Sequence, residues 1–480
     1  MSLRASMPFL LLVALTTTLR GETPDGKTWQ AGVARVNVTP TKSMWLSGYG
    51  ARDRPAEGKL ADLWAKALVL VDPAGNRAVL VTMDLIGIDR DLSQRVCSEI
   101  TKKHGIDRAR IALCTSHTHT GPVVGENLRL MYFYDERQQS LIREYTADLE
   151  KELSAVVDEA ATKLAPVALC WGQGKAEFAV NRRNNPEAQV PALREQGKLR
   201  GPVDHDAPVL AVYAAGESKP PLAVVFGYAC HATVLSSYEW SGDWPGFAQQ
   251  EIERRLPGTT AMFVAGCGGD QNPLPRRSVE LAKKYGAEMA DAVVAVIGKE
   301  SDVKERNDKM NPIAGGLTCT YQEIDLPLAK VPTREELEQT AGSSNRIDAA
   351  CAKLLLAQLD RGEKIAATYP YPIQTWRFAG GKQDGKQDGE ATQSRGLSVV
   401  VLGGEVVVDY ALRIKAELPH ENVWVAAYAN DVVAYIPSRR ILQEGGYEGI
   451  GAQAEYGFLS PWSPDAEQHI IDEVRRQAGK

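Results

Sequence analysis

A chain of 480 residues with 55 basic and 61 acidic side chains carries a formal charge of only −6. A charge that thin attracts no polyanion, so nucleic-acid binding is not expected. The composition, 44% hydrophobic and 24% charged, is that of an ordinary globular enzyme. No Gly/Ser-rich or Pro-rich linker divides the chain, which favours one large domain.

At the amino end, Arg4 precedes the short apolar run Met7–Leu15. This reads as a signal peptide over residues 1–21, and it implies export to the periplasm or the cell exterior. The run falls short of the ~20 apolar residues a membrane span needs. Thr16–Gly21 lacks a small-x-small cleavage pattern, so an uncleaved anchor is the alternative.

From residue 28 onward, apolar runs of strand length alternate with amphipathic helices, which predicts an α/β fold with mixed β-sheets flanked by helices. The helices are expected at Leu92–Lys103, Leu141–Leu164, Pro245–Leu256, Ser278–Ile297 and Val406–Leu418, with a further polar helical stretch over Pro332–Gly362. Gly380–Gly389 holds a duplicated Gly-Lys-Gln-Asp unit and is expected to be a surface tip.

Six predicted strands run straight into a chemically competent residue. Ala78–Thr82 leads to Asp84, Ile111–Leu113 to His117 and His119, Leu222–Gly227 to His231, Ala261–Ala265 to Asp270, Leu397–Leu402 to Glu405, and Val423–Ala427 to Tyr435. Ligands of α/β sheets bind outside the carboxyl ends of strands, so these residues are candidates for one shared site.

Each station has a plainer reading beside the functional one. In an extended segment His117 and His119 face the same way and can chelate one ion together, or one can bind it while the other moves protons. A lone His231 would be an ordinary core histidine. Asp243, at the start of a helix, reads as an N-cap, with support of a metal-bound His231 as the alternative. Glu405 is expected in the first turn of the helix over Val406–Leu418, where the helix dipole favours a carboxylate. Gly266–Asn272 is a glycine-rich turn without a nucleotide-binding signature, so it reads as an oxyanion-binding turn with Asn272 as a donor. The seven cysteines are scattered and odd in number, which fits core packing. Cys267 could act as a nucleophile only if a nearby base lowered its pKa.

Several of these elements together resemble the neutral/alkaline, non-lysosomal ceramidases. The resemblance is carried by Ser116-His117-Thr118-His119-Thr120-Gly121-Pro122, by His231 followed by Ser241-Gly242-Asp243, and by Asn181-Arg182 with Asn185-Pro186. The Gly269-Asp270 turn and Tyr428-Ala429-Asn430 leading to Tyr435 and Tyr447 complete it. The resemblance implies a ceramidase-type catalytic domain over 28–480, with a zinc ion (Zn2+) held by His117, His231, Glu405 and Tyr435. It also implies catalytic roles for His119, Arg182, Asn272 and Tyr447: His119 passes a proton to the leaving amine, and the other three steady the oxyanion or orient the substrate.

Two departures qualify the likeness. Asn272 stands where the family has a serine, and the family's immunoglobulin-like C-terminal domain is expected to be absent. Gly403-Gly404-Glu405 is also only similar to the family's P-x-E segment.

The expected function is therefore that of an exported zinc-dependent amidohydrolase cleaving an N-acyl amide, a ceramide-like lipid, with zinc-activated water. A lipid substrate implies contact with a membrane surface; no feature specifies an oligomeric state. The alternatives are a two-metal phosphoesterase or other hydrolase, using Asp84 and Asp270 as extra ligands, and an inactive lipid- or glycan-binding homologue. Metal stoichiometry separates the first from the expected enzyme, and turnover separates the second.

Overall fold

A computed structural model describes residues 28–216, 220–298, 309–380, 382–383, 392–393, 396–419 and 421–479. The predicted signal peptide, and residues 384–391 with the end of the predicted surface tip, lie outside the described residues.

Two sheets form the frame. In the larger one the strands run in the order Thr260–Ala265, Ala223–Tyr228, Asp206–Ala214, Ala165–Lys175, Trp29–Asn37, Trp64–Val71, Arg77–Met83, Ile111–Thr115, and Asn311–Ile313 pairs beside Ala165–Lys175. Only its two ends are parallel, where Thr260–Ala265 pairs with Ala223–Tyr228 and Arg77–Met83 with Ile111–Thr115. The smaller sheet holds Leu317–Pro327, Thr368–Phe378, Leu397–Leu402 and Asn422–Ala426, the last two parallel.

The alternation of side chains shows how the layers stack. Ala112 and Cys114, Ala223 and Val225, and Met262 and Val264 meet Trp376, Phe378, Val401 and Trp424 of the smaller sheet in one buried cluster. Their neighbours face the other way. Phe226, Phe263, Val400 and Leu402 pack with Ala248, Met289, Ile414 and Ile470, residues of helices on the outer faces. The result is helix, sheet, sheet, helix. Central strands are thereby buried on both faces, which is why they read as nearly continuous apolar runs.

The predicted helices are present: Arg90–His104, Glu136–Thr162, Asp243–Arg255, Val279–Ile297 and Val408–Glu417, while the stretch over 332–362 divides into Arg334–Ala341 and Arg346–Asp360. No described helix is long and apolar enough to cross a membrane. No disulfide joins any of the seven cysteines, all of which lie among the described residues, and six are buried.

Candidate metal centre

The carboxyl ends of the parallel strands point to one place. Backbone bridges Cys114–Ala429, Thr118–Ala232 and Gly266–Ala426 stitch the loops that leave them. His117 follows Ile111–Thr115 with φ of 57°, a left-handed conformation rare for a non-glycine residue. Tyr428, with φ of 54°, lays its ring 4.4 Å from that of His117. Strain of this kind gathers at functional sites, where the surrounding structure holds it in place.

The sequence reading put Glu405 in a helix first turn, and the structure corrects this. Glu405 lies in a two-residue strand ahead of the helix, paired in parallel with Tyr435 directly opposite. Its carboxylate answers to side chains of three other loops. Glu405 Oε2 lies 3.1 Å from His117 Nε2 and 3.0 Å from His231 Nε2. Tyr435 Oη is 3.3 Å from His231 Nε2, and His119 Nε2 is 3.2 Å from His117 Nε2. All of these residues are buried.

The hydrogen bonds on the far side of the rings decide what these nitrogens can do. His117 Nδ1 donates to the carbonyl of Ile86 at 2.7 Å, and His231 Nδ1 to that of Gly268 at 2.6 Å. Both imidazoles are thereby locked with the proton outward and the Nε2 lone pair inward. Burial, with the Arg182 charge adding to it, holds the His231 pKa down to about 4, so this ring is neutral at pH 7. Lone pairs 3.0 and 3.1 Å from a carboxylate oxygen repel unless a cation or a proton lies between them. The edges of a tetrahedron with bonds of ~2.0 Å measure ~3.3 Å, close to this spacing. Two nitrogens, a carboxylate and a phenol oxygen suit a zinc-like divalent ion.

His119 is different. Its Nδ1 is buried and has no hydrogen-bond partner among the described residues. That nitrogen lies against Gly48, where a Cβ would come within 2.4 Å of it, so only glycine fits beneath the ring. The ring also packs 4.8 Å from that of Tyr49, and its backbone carbonyl accepts from Arg52 Nη2 at 2.8 Å. Burial, reinforced by the neighbouring histidines, holds its pKa well below the usual value. With no carbonyl to lock its tautomer, His119 can carry its proton on either nitrogen, and Nε2 is the one turned toward the cluster. On donor distance alone it can equally join His117 and His231 in a three-histidine group.

The other candidates border this centre. Arg182 donates from Nε to Glu448 at 2.7 Å, from Nη2 to Tyr435 Oη at 3.1 Å, and from Nη1 to Asn272 Oδ1 at 3.4 Å. It is an ion pair, but one built into the site. Tyr447 rests its ring 5.4 Å from that of Tyr435, and its hydroxyl donates to Glu455 at 2.9 Å. It is 44% exposed, enough to meet a ligand from outside.

Two expectations change, and two of the alternatives lose their support. Asp243 is the first helical residue rather than the cap, which is Gly242. Its carboxylate accepts from the amides of Val234 and Leu235, and Trp244 Nε1 donates to the His231 carbonyl, so this segment clamps the loop carrying His231. The backbone of the glycine-rich turn is not an oxyanion trap, because the amides of Gly268 and Gly269 are spent on Gly266 and Val406, which leaves the Asn272 side chain as the candidate donor. A Cβ at Gly269 would meet the Glu405 carbonyl at 2.7 Å, so close packing with the Glu405 strand accounts for the glycine. Asp84 accepts from the Trp64 amide and Gln249, and Asp270 from the Val408 amide and Asn181. Both are structural anchors for the loops, not members of the histidine cluster. Burial pushes the Cys267 thiol well up, away from nucleophilic use.

Sequence reasoning missed Tyr456, whose hydroxyl donates to Glu405 Oε1. It lies 51 residues downstream on a short helical turn, and nothing in its neighbourhood distinguishes it from other tyrosines. Outer partners of this kind typically carry ~10- to 100-fold of metal affinity. Tyr456→Phe should weaken zinc binding by about that factor, read by competition with a chelator of known affinity. Unchanged competition would show that Glu405 needs no help to hold its orientation.

The loop that delivers Tyr435 also buries Asp431, which accepts from Tyr369 at 2.7 Å. Burial raises its carboxyl pKa to about 7. The unfolded value is ~3.9, so the stability from this group is complete below ~pH 4 and lost as pH rises through the folded value. Asp431→Asn should therefore gain melting temperature over wild type between ~pH 4 and ~7 and keep that gain above. Thermal melts across this range test it; a constant offset between the two proteins would show that Asp431 titrates alike folded and unfolded.

A family profile described as neutral/alkaline non-lysosomal ceramidase, N-terminal, matches residues 29–300. The chain belongs to this family. Among ceramidase relatives, neutral ceramidase 2 of Arabidopsis thaliana is 25% identical over 62% of this chain. Neutral ceramidase B of Dictyostelium discoideum is 27% identical over 52% of it. The chain spans 39% and 36% of the lengths of these two relatives. The fold is also that of solved ceramidases. The crystal structure of neutral ceramidase from Pseudomonas aeruginosa superimposes with a TM-score of 0.66 at 20% identity, over 94% of this chain and 74% of the other. A structure of ceramidase complexed with C2 gives 0.67 at 18% identity, over 94% of this chain and 75% of the other.

Proposed function

We propose that this protein is an exported zinc-dependent amidohydrolase that cleaves an N-acyl amide of the ceramide type. The observation that carries the reading is the inward-facing donor set, in which two tautomer-locked histidines converge on the Glu405 carboxylate beside the Tyr435 hydroxyl. His117, His231, Glu405 and Tyr435 hold the ion. Zinc in such a site polarises a carbonyl and lowers the pKa of water to ~7.

The chain's own residues do the rest. His119, neutral and unlocked, takes a proton on the metal side and gives it to the leaving amine. Arg182 keeps the Tyr435 oxygen oriented and presents Asn272, and Tyr447 forms the exposed wall over which substrate enters. Membership of the ceramidase family supports the choice of an amide as the bond cleaved. No specific observation favours a two-metal phosphoesterase, since Asp84 and Asp270 are committed to backbone amides.

The test is metal analysis joined to turnover. The purified protein should hold about one zinc per chain, lose amide hydrolysis on chelation and regain it with zinc. Two metals per chain with phosphoester turnover and no amide cleavage would overturn the reading.

A further inference from the structure

Glu455 stands behind Tyr447, on the short helical turn Gln453–Tyr456. Two neighbouring side chains of this turn tie into the metal centre. The Tyr456 hydroxyl donates to Glu405 Oε1, and the Glu455 carboxylate accepts from the Tyr447 hydroxyl at 2.9 Å. The Tyr447 ring packs 5.4 Å from that of Tyr435, and the Arg182 guanidinium lies 5.7 Å from each of these two rings. With the ring held against the donor set, the direction of the hydroxyl proton is the freedom that remains to Tyr447.

Glu455 decides that direction. A carboxylate is an acceptor only, so it takes the tyrosine proton in a charge-assisted bond and leaves Tyr447 with lone pairs alone to offer a substrate. A carboxylic acid has a proton of its own. It donates to Tyr447 Oη, and the phenolic O–H is then free to point at the substrate carbonyl, where negative charge develops. The titratable groups that face Glu455 are Tyr447 on the turn Tyr447–Gly451, Glu405 on its strand, Arg182, and Tyr132 beside the turn Arg129–Met131. Burial, with the Glu405 charge adding to it, outweighs Tyr447 and Arg182 and raises the Glu455 carboxyl to about 7. Both forms are therefore within reach of an ordinary assay.

We propose that Glu455 is a positioning residue for Tyr447: protonated, it turns the tyrosine hydroxyl toward the scissile carbonyl as an oxyanion donor, and ionised, it draws that hydroxyl away. The inference rests on the amidohydrolase reading and gives a part in it to a residue outside the metal donor set. No proton is transferred to the substrate in this step. Tyr447 keeps its O–H bond and lends a hydrogen bond.

The experiment measures kcat and KM of the zinc-loaded full chain between about pH 5 and about pH 10, on whichever of C8-ceramide and N-octanoylglycine it cleaves faster. In the wild type kcat should fall by at least about tenfold along an alkaline limb with KM little changed, because an oxyanion donor acts only in the transition state. Glu455→Gln keeps a donor, its amide NH2, that does not ionise. This variant should hold kcat within about threefold of the wild-type acid-side value and lose the alkaline limb, which a merely structural role for Glu455 would not explain. Tyr447→Phe has no hydroxyl to direct, so its kcat should be at least about tenfold low on the acid side and show no such limb. A wild type without the limb, or a limb that survives in Glu455→Gln, would overturn the proposal. Tyr447→Phe carries the same test if Glu455→Gln does not fold, since a limb that persists without the hydroxyl would also overturn it. Failure of the zinc-loaded wild type to cleave either amide would instead remove the amidohydrolase reading, and the Glu455 assignment with it.

Discussion

His117→Ala should purify without zinc and without turnover, whereas His119→Ala should keep zinc and lose turnover by about 10² to 10⁴. The contrast follows from the outward side of each ring. His117 is locked by the Ile86 carbonyl at 2.7 Å, the bond that fixes a ligand's tautomer. His119 Nδ1 meets no such partner. Removing the first takes a donor from a group whose members stand 3.0 to 3.3 Å apart, and leaves Glu405 buried with one histidine fewer. Removing the second leaves His117, His231, Glu405 and Tyr435 in place. Metal analysis beside initial rates reads both effects. Equal zinc loss in the two variants would make the pair joint chelators, as the spacing of the three histidines permits.

Much of this centre was legible because the strands that carry it are buried on both faces. A run such as Ala261–Ala265 has no polar side to confuse its limits, so the first polar residues beyond it stand out. The placement of His117, His231 and Tyr435 beyond strand ends needed no more than that. Glu405 was harder, because its neighbourhood is set by a two-residue pairing with Tyr435, 30 positions on in sequence and too short to leave a periodic trace. A helix starting at Val408 made the first-turn reading natural, and three residues separate it from the truth. Asp84 and Asp270 misled for the opposite reason. A buried carboxylate at a strand end serves equally well to hold loose backbone amides, and local sequence does not separate that use from metal binding. Tyr456 left no signal at all, since its role depends on a contact across 51 residues.

The Asn272 position separates attack by water from attack by a side chain. Asn272 lies on the short strand Gln271–Pro273, paired with Ala179–Asn181, and is held there with its Oδ1 accepting from Arg182 at 3.4 Å and from Thr233 at 3.5 Å. With the oxygen turned to those donors, the amide NH2 is the end left to donate to charge developing on the substrate carbonyl. An oxyanion donor is worth about 10² to 10³ in rate, so Asn272→Ala should slow amide hydrolysis by that factor with zinc content unchanged. Its amide cannot form an acyl-enzyme, and Cys267 is buried with its thiol pKa pushed well up. No acyl adduct should therefore be trapped on any residue during turnover, read by mass spectrometry of the intact protein. A trapped adduct would refute direct attack by water. A rate unchanged in Asn272→Ala would instead confine this side chain to holding Arg182, which in turn holds Tyr435 at 3.1 Å. Asn272→Ser then becomes informative: it keeps a hydroxyl donor on a shorter side chain. If that side chain sets selectivity, the serine variant should shift turnover toward ceramide relative to other N-acyl amides. An unchanged ratio places selectivity elsewhere in the site.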